Sequence, residues 1–226
     1  MKLHAHKASN TSRPVLFFAA ESKIPLELVV VDLFTGEHVK EPFTKLNPSK
    51  QVPVLDDDGF ILTESSAILK YLAEKTNSPA YPKDLKKRAK VNELMDWINT
   101  GFYREWGYHL IYPQVYPHHV REPADANKVT VEWGKKQSEF WLDVLDKHWL
   151  GKGNAYLCGN EITIADYFGS VIVSAGELVG VKLSKFPNVK KWMDRMKALP
   201  AWNQVSDVHD GFAQSLQGKQ FVSIAQ

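Results

Sequence analysis

Residues 46–75, LNPSKQVPVLDDDGFILTESSAILKYLAEK, hold the change of pattern that decides the architecture. Two short apolar segments, residues 52–55 and 60–63, flank Asp56, Asp57, Asp58 and Gly59, which is turn chemistry for a β-hairpin. From Glu64 onward Ile68, Leu69, Leu72 and Ala73 recur at helical spacing, so a helix follows the hairpin directly. The triplet Gln51, Val52, Pro53 sets a proline at the start of the first strand. A cis peptide there would turn a backbone edge outward and let Val52 offer its N–H and C=O to an extended ligand, although an isolated X–Pro bond favours trans.

Upstream of the hairpin, residues 2–6 alternate polar and apolar like a short strand. The polar cluster Ser9, Asn10, Thr11, Ser12 then precedes Pro14 and the apolar run 15–20, which reads as loop and helix. Residues 24–33 are rich in Val and Leu with Pro25 at the start, a second strand. Residues 35–49 contain Gly36, Pro42 and Pro48 and read as loop with at most a short helix. The opening is thus βαβ, then ββα.

Downstream, residues 76–84 form a proline-containing linker, and beyond it only helical patterns are visible. Residues 87–112 and 129–149 read as long helices, and residues 187–199 as a third carrying Val189, Trp192, Met193, Met196 and Leu199 on one face. Thr163 to Asp166 fits a capping box, with Ile162 and Tyr167 placed as a hydrophobic staple, so Asp166 reads as structural. The expected fold class is α+β: an α/β domain over residues 1–78 and an all-α domain over residues 86–226.

Composition narrows the class of function. The 226-residue chain is 44% hydrophobic and 24% charged, ordinary for a globular protein. Its 28 basic and 26 acidic side chains leave a net charge of +2, too balanced for the positive field that nucleic-acid binding needs. The uncharged stretch 106–120 contains Pro113 and Pro117 and is too short to span a bilayer, so no membrane segment is expected. The first residues lack the apolar core of a secretory signal, and a lone Cys158 forms no intramolecular disulfide, which makes the cytoplasm the expected compartment. Cys158 itself reads as a small buried apolar residue. His4 with His6 and His118 with His119 lack the spacing of a zinc site, so no metal is expected.

Two places could carry chemistry. Glu64 and Ser65 stand where a strand meets a helix, a junction at which free N–H groups and the helix dipole attract a carboxylate, while Ser65 could equally serve as a plain cap. Ser9 follows the first strand, where its hydroxyl can cap the first helix or point into a cleft between the domains; Ser12 competes for both tasks.

The NP, QVP and TES elements of residues 46–75, in order and at this spacing, resemble the glutathione-site segment of cytosolic glutathione transferases. SNTSRPVLFF (9–18), IPLELVVVDL (24–33) and GEH (36–38) resemble the theta and phi branches, while ITIADYF (162–168) and FPNVKKWMDRMKALPAW (186–202) resemble helical-domain segments. The likeness covers most of the chain. It implies a thioredoxin-like N-terminal domain, an all-α C-terminal domain, glutathione as co-substrate, a small hydrophobic electrophile as its partner in reaction, and a homodimer.

Residue by residue, the resemblance makes Ser9, four positions before Arg13, the activating serine, with Ser12 its neighbour and rival. Val52 beside a cis Pro53 would pair with the cysteinyl backbone, Glu64 and Ser65 would hold the γ-glutamyl end, and His38, Gln51 and Lys40 the glycyl end. Lys40 is offset by one from the phi lysine. Redox branches carry a cysteine near the position of Ser9, and Cys158 lies far from it, which disfavours disulfide exchange.

A serine hydroxyl donating to sulfur favours the thiolate, the nucleophilic form of a thiol whose free pKa is about 8.5. The electrophile would sit against the helical domain, where Trp97, Phe102, Tyr103, Trp106, Tyr108, Tyr112 and Tyr116 crowd together. Packing accounts for most of these, and one or two of Trp106, Tyr108 and Tyr112 are expected to face the cleft. Arg104 could meet an anionic leaving group or remain solvated. The expected activity is conjugation or displacement by glutathione. The alternatives are a non-catalytic interaction module or ligand carrier on the same fold, and a dehalogenase, peroxidase or isomerase on the same scaffold.

Overall fold

The computed structural model describes residues 1–224. Strand β1 (Lys2–Ala5) leads into helix α1 (Arg13–Glu21) and strand β2 (Glu27–Val30), which pairs parallel to β1 with Leu3 opposite Leu28. A short helix α2 (Phe43–Leu46) precedes the hairpin β3 (Val54–Asp57) and β4 (Phe60–Leu62), and α3 (Ser65–Lys75) closes the unit. The sheet order is β2-β1-β3-β4, with β3 antiparallel to both neighbours. Pro53 has no N–H to give a ladder, so pairing starts at Val54, two residues later than the apolar pattern suggests. Strand β2 is likewise shorter than the apolar run 24–33.

One face of the sheet buries Leu3, Ala5 and Leu55 against Val15, Phe17 and Phe18 of α1 and Ile68, Leu69 and Leu72 of α3. Val31, Phe43, Val52 and Val54 form a second small core in which α2 supplies Phe43. This is the βαβ-ββα, thioredoxin-like arrangement.

The rest is helical. α4 (Leu85–Asp96) is capped by Asp84, whose side chain accepts the Lys87 N–H at 2.9 Å. The expected straight helix over 87–112 then loosens into π-helical turns over Trp97–Phe102 and Arg104–Ile111, where the N–H of Tyr103 reaches back to Ile98 and that of Tyr112 to Gly107. The α-helical turn α5 (Tyr112–Val115) follows. α6 (Ala124–Val144) begins before residue 129, and its end widens into a π turn over Leu145–Trp149.

α7 (Ile164–Ser174) opens on the capping box. Asp166 accepts the Thr163 N–H at 2.8 Å and also the Thr163 hydroxyl, the Leu157 N–H and the Trp192 indole N–H. α8 (Pro187–Lys197) buries Val189, Trp192, Met193 and Met196. α9 (Trp202–Ser215) has no counterpart in the sequence reading. Among the described residues no helix is long and apolar enough to cross a membrane.

Candidate functional site

A cavity of about 380 Å³ opens between the α/β unit and the helices. Its walls are the loop after β1 (Ser9, Asn10, Thr11), the segments around His38 and Gln51–Val52, and an aromatic side made by Tyr103, Tyr108, Tyr112, Tyr116 and Phe212.

The loop is set by helix-end chemistry. Arg13 N–H donates to the Ser9 carbonyl at 3.0 Å, which starts α1. Ser9 Oγ accepts the N–H groups of Thr11 at 3.3 Å and Ser12 at 3.2 Å, which fixes the turn that precedes α1. Ser9 thus lies on the cavity wall and its hydroxyl fixes the turn ahead of α1, while the N-cap position of that helix is Ser12, whose side chain makes no capping bond. Ser12 is wholly buried, its hydroxyl has no hydrogen-bond partner among the described residues, and it is absent from the cavity wall, so the structure places the rival candidate in the core.

Val52 lies opposite. Its peptide bond to Pro53 is cis, its C=O accepts the Thr11 hydroxyl at 2.9 Å, and its N–H meets no protein acceptor among the described residues. Pro53 is buried behind this edge. Glu64 is exposed and held at φ 66°, a left-handed conformation that a side chain adopts only when its surroundings impose it. Ser65 is buried, and its hydroxyl donates to the Thr11 carbonyl at 2.7 Å instead of capping α3. Neither Glu64 nor Ser65 is on the cavity wall, and Ser65 is tied to it through Thr11.

His38 lines the cavity and its pKa is lowered, first by burial and then by neighbouring His118. Gln51 is exposed on the rim, its carbonyl tied to Asn47 at 2.7 Å. Lys40 is not part of the wall; its ammonium donates to the Thr35 carbonyl at 3.1 Å on the surface.

On the aromatic side, one of the three candidates lies away from the cavity. Trp106 is fully buried and spends its indole N–H on the Ile172 carbonyl at 2.9 Å, so it packs the core and does not face the cleft. Tyr103, Tyr108, Tyr112 and Tyr116 do, forming edge-to-face pairs with ring centroids 5.2–5.4 Å apart from Tyr103 to Tyr108, Tyr108 to Tyr112 and Tyr112 to Tyr116. Burial raises the phenol pKa of all four, that of Tyr116 to about 12, and the negative charge of Glu64 adds to the effect at Tyr108. The four rings therefore stay neutral at physiological pH.

The Tyr112 hydroxyl accepts Asn10 Nδ2 at 3.0 Å and lies 2.5 Å from the Tyr103 hydroxyl. Asn10 Oδ1 in turn accepts from the buried guanidinium of Arg13 at 3.0 Å.

Arg104 is mostly exposed and paired with Glu105, outside the cavity. Cys158 is half-buried and its thiol is pushed up to about 11 by burial and by Asp166, which makes it unreactive. One group able to approach a cation, Glu177, His209 and Asp210, lies on other helices, with Glu177 already bound to Lys197 at 2.6 Å.

Sequence reasoning missed Asn10, Thr11, Tyr103 and Tyr116 as wall residues. Asn10 and Thr11 stood in the same polar cluster as Ser9. Tyr103 shares a face with Tyr108 only because the intervening turn is π-helical, which a count by 3.6 residues does not reveal.

Comparisons with known proteins bear on the chain as a whole. Residues 8–75 match the family model of the glutathione S-transferase N-terminal domain, and residues 118–200 that of the C-terminal domain. The chain is 32% identical to glutathione S-transferase theta-1 of Homo sapiens, over 93% of this chain and 88% of that protein. It is 34% identical to theta-1 of Bos taurus, over 88% and 82% respectively. Among solved structures, it is similar to a delta-class glutathione transferase of Nilaparvata lugens, with 34% identity, a TM-score of 0.83 and coverage of 96% of this chain and 98% of that one. Human glutathione transferase theta-2, solved with glutathione and an unknown ligand, gives a TM-score of 0.83 at 27% identity, covering 99% and 93%.

Proposed function

The chain belongs to the glutathione S-transferase family, and from that premise we propose that it conjugates glutathione to small hydrophobic electrophiles, with Ser9 holding the bound sulfur as thiolate. What supports the reading is that Ser9 lines a cavity also walled by Val52 and by Tyr103, Tyr108, Tyr112 and Tyr116. A thiol of pKa about 8.5 is mostly protonated at neutral pH, and each unit of lowering requires about 1.4 kcal/mol, which one charge-assisted hydrogen bond supplies. Serine acts here as a donor, and glutathione is the reacting group that the protein orients.

The N–H and second carbonyl lone pair of Val52 suit the cysteinyl backbone of an extended tripeptide. Glu64 and Ser65 at the head of α3 take the γ-glutamyl end, and His38 and Gln51 the glycyl end, with Lys40 beside them at the surface. Tyr108, with the ring of Tyr112, bounds the electrophile. We assign residues 1–78 to the glutathione side and 86–226 to the electrophile side, and we infer a cytoplasmic homodimer that needs no metal.

Replacement of Ser9 by Ala is expected to raise the thiol pKa of bound glutathione by about one to two units and to lower kcat at neutral pH at least tenfold, with KM for glutathione nearly unchanged. Ser12→Ala serves as the control with parental values. Parental activity and pKa in Ser9→Ala would overturn the assignment, and retention on immobilised glutathione without turnover of any alkyl halide or activated aromatic would favour a carrier instead.

A further inference from the structure

Counting hydrogens around the loop that opens α1 gives Thr11 a part of its own. A hydroxyl has one hydrogen and a carbonyl only accepts. Thr11 Oγ1 lies 2.9 Å from the Val52 carbonyl, so its hydrogen is committed there. The 2.9 Å contact between Ser9 Oγ and Thr11 Oγ1 therefore runs one way, with Ser9 donating. Both lone pairs of Ser9 Oγ are taken by the N–H groups of Thr11 and Ser12. The Thr11 carbonyl receives the Ser65 hydroxyl. One half-buried threonine thus touches Ser9, the Val52 edge and the head of α3.

We propose that Thr11 is a positioning residue that holds the Ser9 hydroxyl hydrogen on its own oxygen while the bound thiol is protonated and releases it to the sulfur when the thiol ionises. The inference rests on the reading of Ser9 given above. The thiol proton leaves to solvent; the Ser9 hydrogen stays on Ser9 and swings about the Cβ–Oγ bond from Thr11 to the thiolate. A hydrogen bond to an ion is roughly twice as strong as a neutral one, so the swing is downhill, yet the neutral bond given up subtracts from the stabilisation the thiolate receives. Thr11 keeps its own hydrogen on Val52 throughout, so the tripeptide edge stays in place. The two N–H groups on Ser9 Oγ polarise its O–H and strengthen it as a donor.

The sign of this effect separates it from simple support. A residue that merely props up Ser9 would, when damaged, raise the thiol pKa; a competing acceptor would lower it when removed. Ultraviolet titration of thiolate at saturating glutathione, run on the parent, Thr11→Val, Thr11→Ser, Ser9→Ala and the Ser9→Ala/Thr11→Val double variant, reads this directly. Thr11→Val is expected to lower the bound-thiol pKa by about half a unit, the worth of one neutral hydrogen bond, and to raise KM for glutathione through loss of the Val52 anchor. Thr11→Ser should keep the parental pKa, and the double variant should match Ser9→Ala.

A pKa unchanged or raised in Thr11→Val, with Ser9→Ala still raised, would overturn the proposal for Thr11 while leaving Ser9 in its role. So would a Thr11→Ser variant that behaves as Thr11→Val does. A parental pKa in Ser9→Ala would instead remove the Ser9 reading, and this inference with it.

Discussion

Asp166 shows how one side chain can be both a local signal and a costly one. It was legible from its spacing to Thr163, and it accepts four hydrogen bonds while wholly buried. Burial pushes its carboxyl up to about 6 from 3.8, against the pull of the donors from Leu157, Thr163 and Trp192. Below about pH 4 the proton is bound in both folded and unfolded chains, and the carboxyl's favourable contribution is complete. Between about 4 and 6 the folded chain retains a proton the unfolded one has released, so this contribution is lost as pH rises through that window. The difference in urea stability between the parent and Asp166→Asn should therefore fall from pH 4 to pH 6 and level off above it; a pH-independent difference would contradict the assignment.

Elements are where the periodic reading was strongest and where it also drifted. Helices α3 and α8 follow their apolar spacing because one straight face meets the core, and the counted residues are the buried ones apart from Leu199, which lies past the end of α8 and is half-buried. The stretch after α4 departs from that count because its π turns advance the side chains differently, and this brings Tyr103, Tyr108, Tyr112 and Tyr116 to one side. α6 crosses this stretch at Gly134, where an added Cβ would stand 2.5 Å from the carbonyl carbon of His109 and 2.6 Å from the Leu110 nitrogen. Those are backbone atoms, so the helices would have to part. Gly134→Ala is expected to cost about 2 kcal/mol in urea unfolding, and, because His109 and Leu110 lie between Tyr108 and Tyr112, to raise KM for the electrophile more than KM for glutathione.

At the scale of the whole molecule, Arg13 ties the two parts together. It is fully buried at the start of α1, and no carboxylate among the described residues lies within ion-pair distance. Its guanidinium donates instead to Asn10 at 3.0 Å, to Ser174 at the end of α7 at 3.0 Å and to Ser206 on α9 at 3.3 Å. Burial lowers its pKa to about 10, which still leaves it charged at neutral pH. Asn10 passes the connection to Tyr112 and Tyr103, so the loop carrying Ser9 is held by side chains from four helical segments. Removing the guanidinium in Arg13→Ala strands several buried acceptors and opens a void. The expected cost is roughly 3 kcal/mol in denaturant unfolding, with a higher KM for glutathione because the Ser9 loop loses its tether. Parental stability would show that the bridge carries little.

The order of elements, the two kinds of architecture along the chain and the polar loop beside the Pro53 strand are written in local sequence, because turn residues, apolar period and helix caps act within a few positions of one another. Which of neighbouring hydroxyls faces the cavity is not written there: Ser9, Thr11 and Ser12 share a composition and a loop, and only the packing of α1 against the sheet and the helices sends Ser12 inward and leaves the other two at the wall. The same holds for Trp106 and the tyrosines, whose separation depends on a helix turn widened where Gly101 and Gly107 lie against Trp141 and Tyr103. Local pattern decides what forms; contact between distant segments decides which atoms meet.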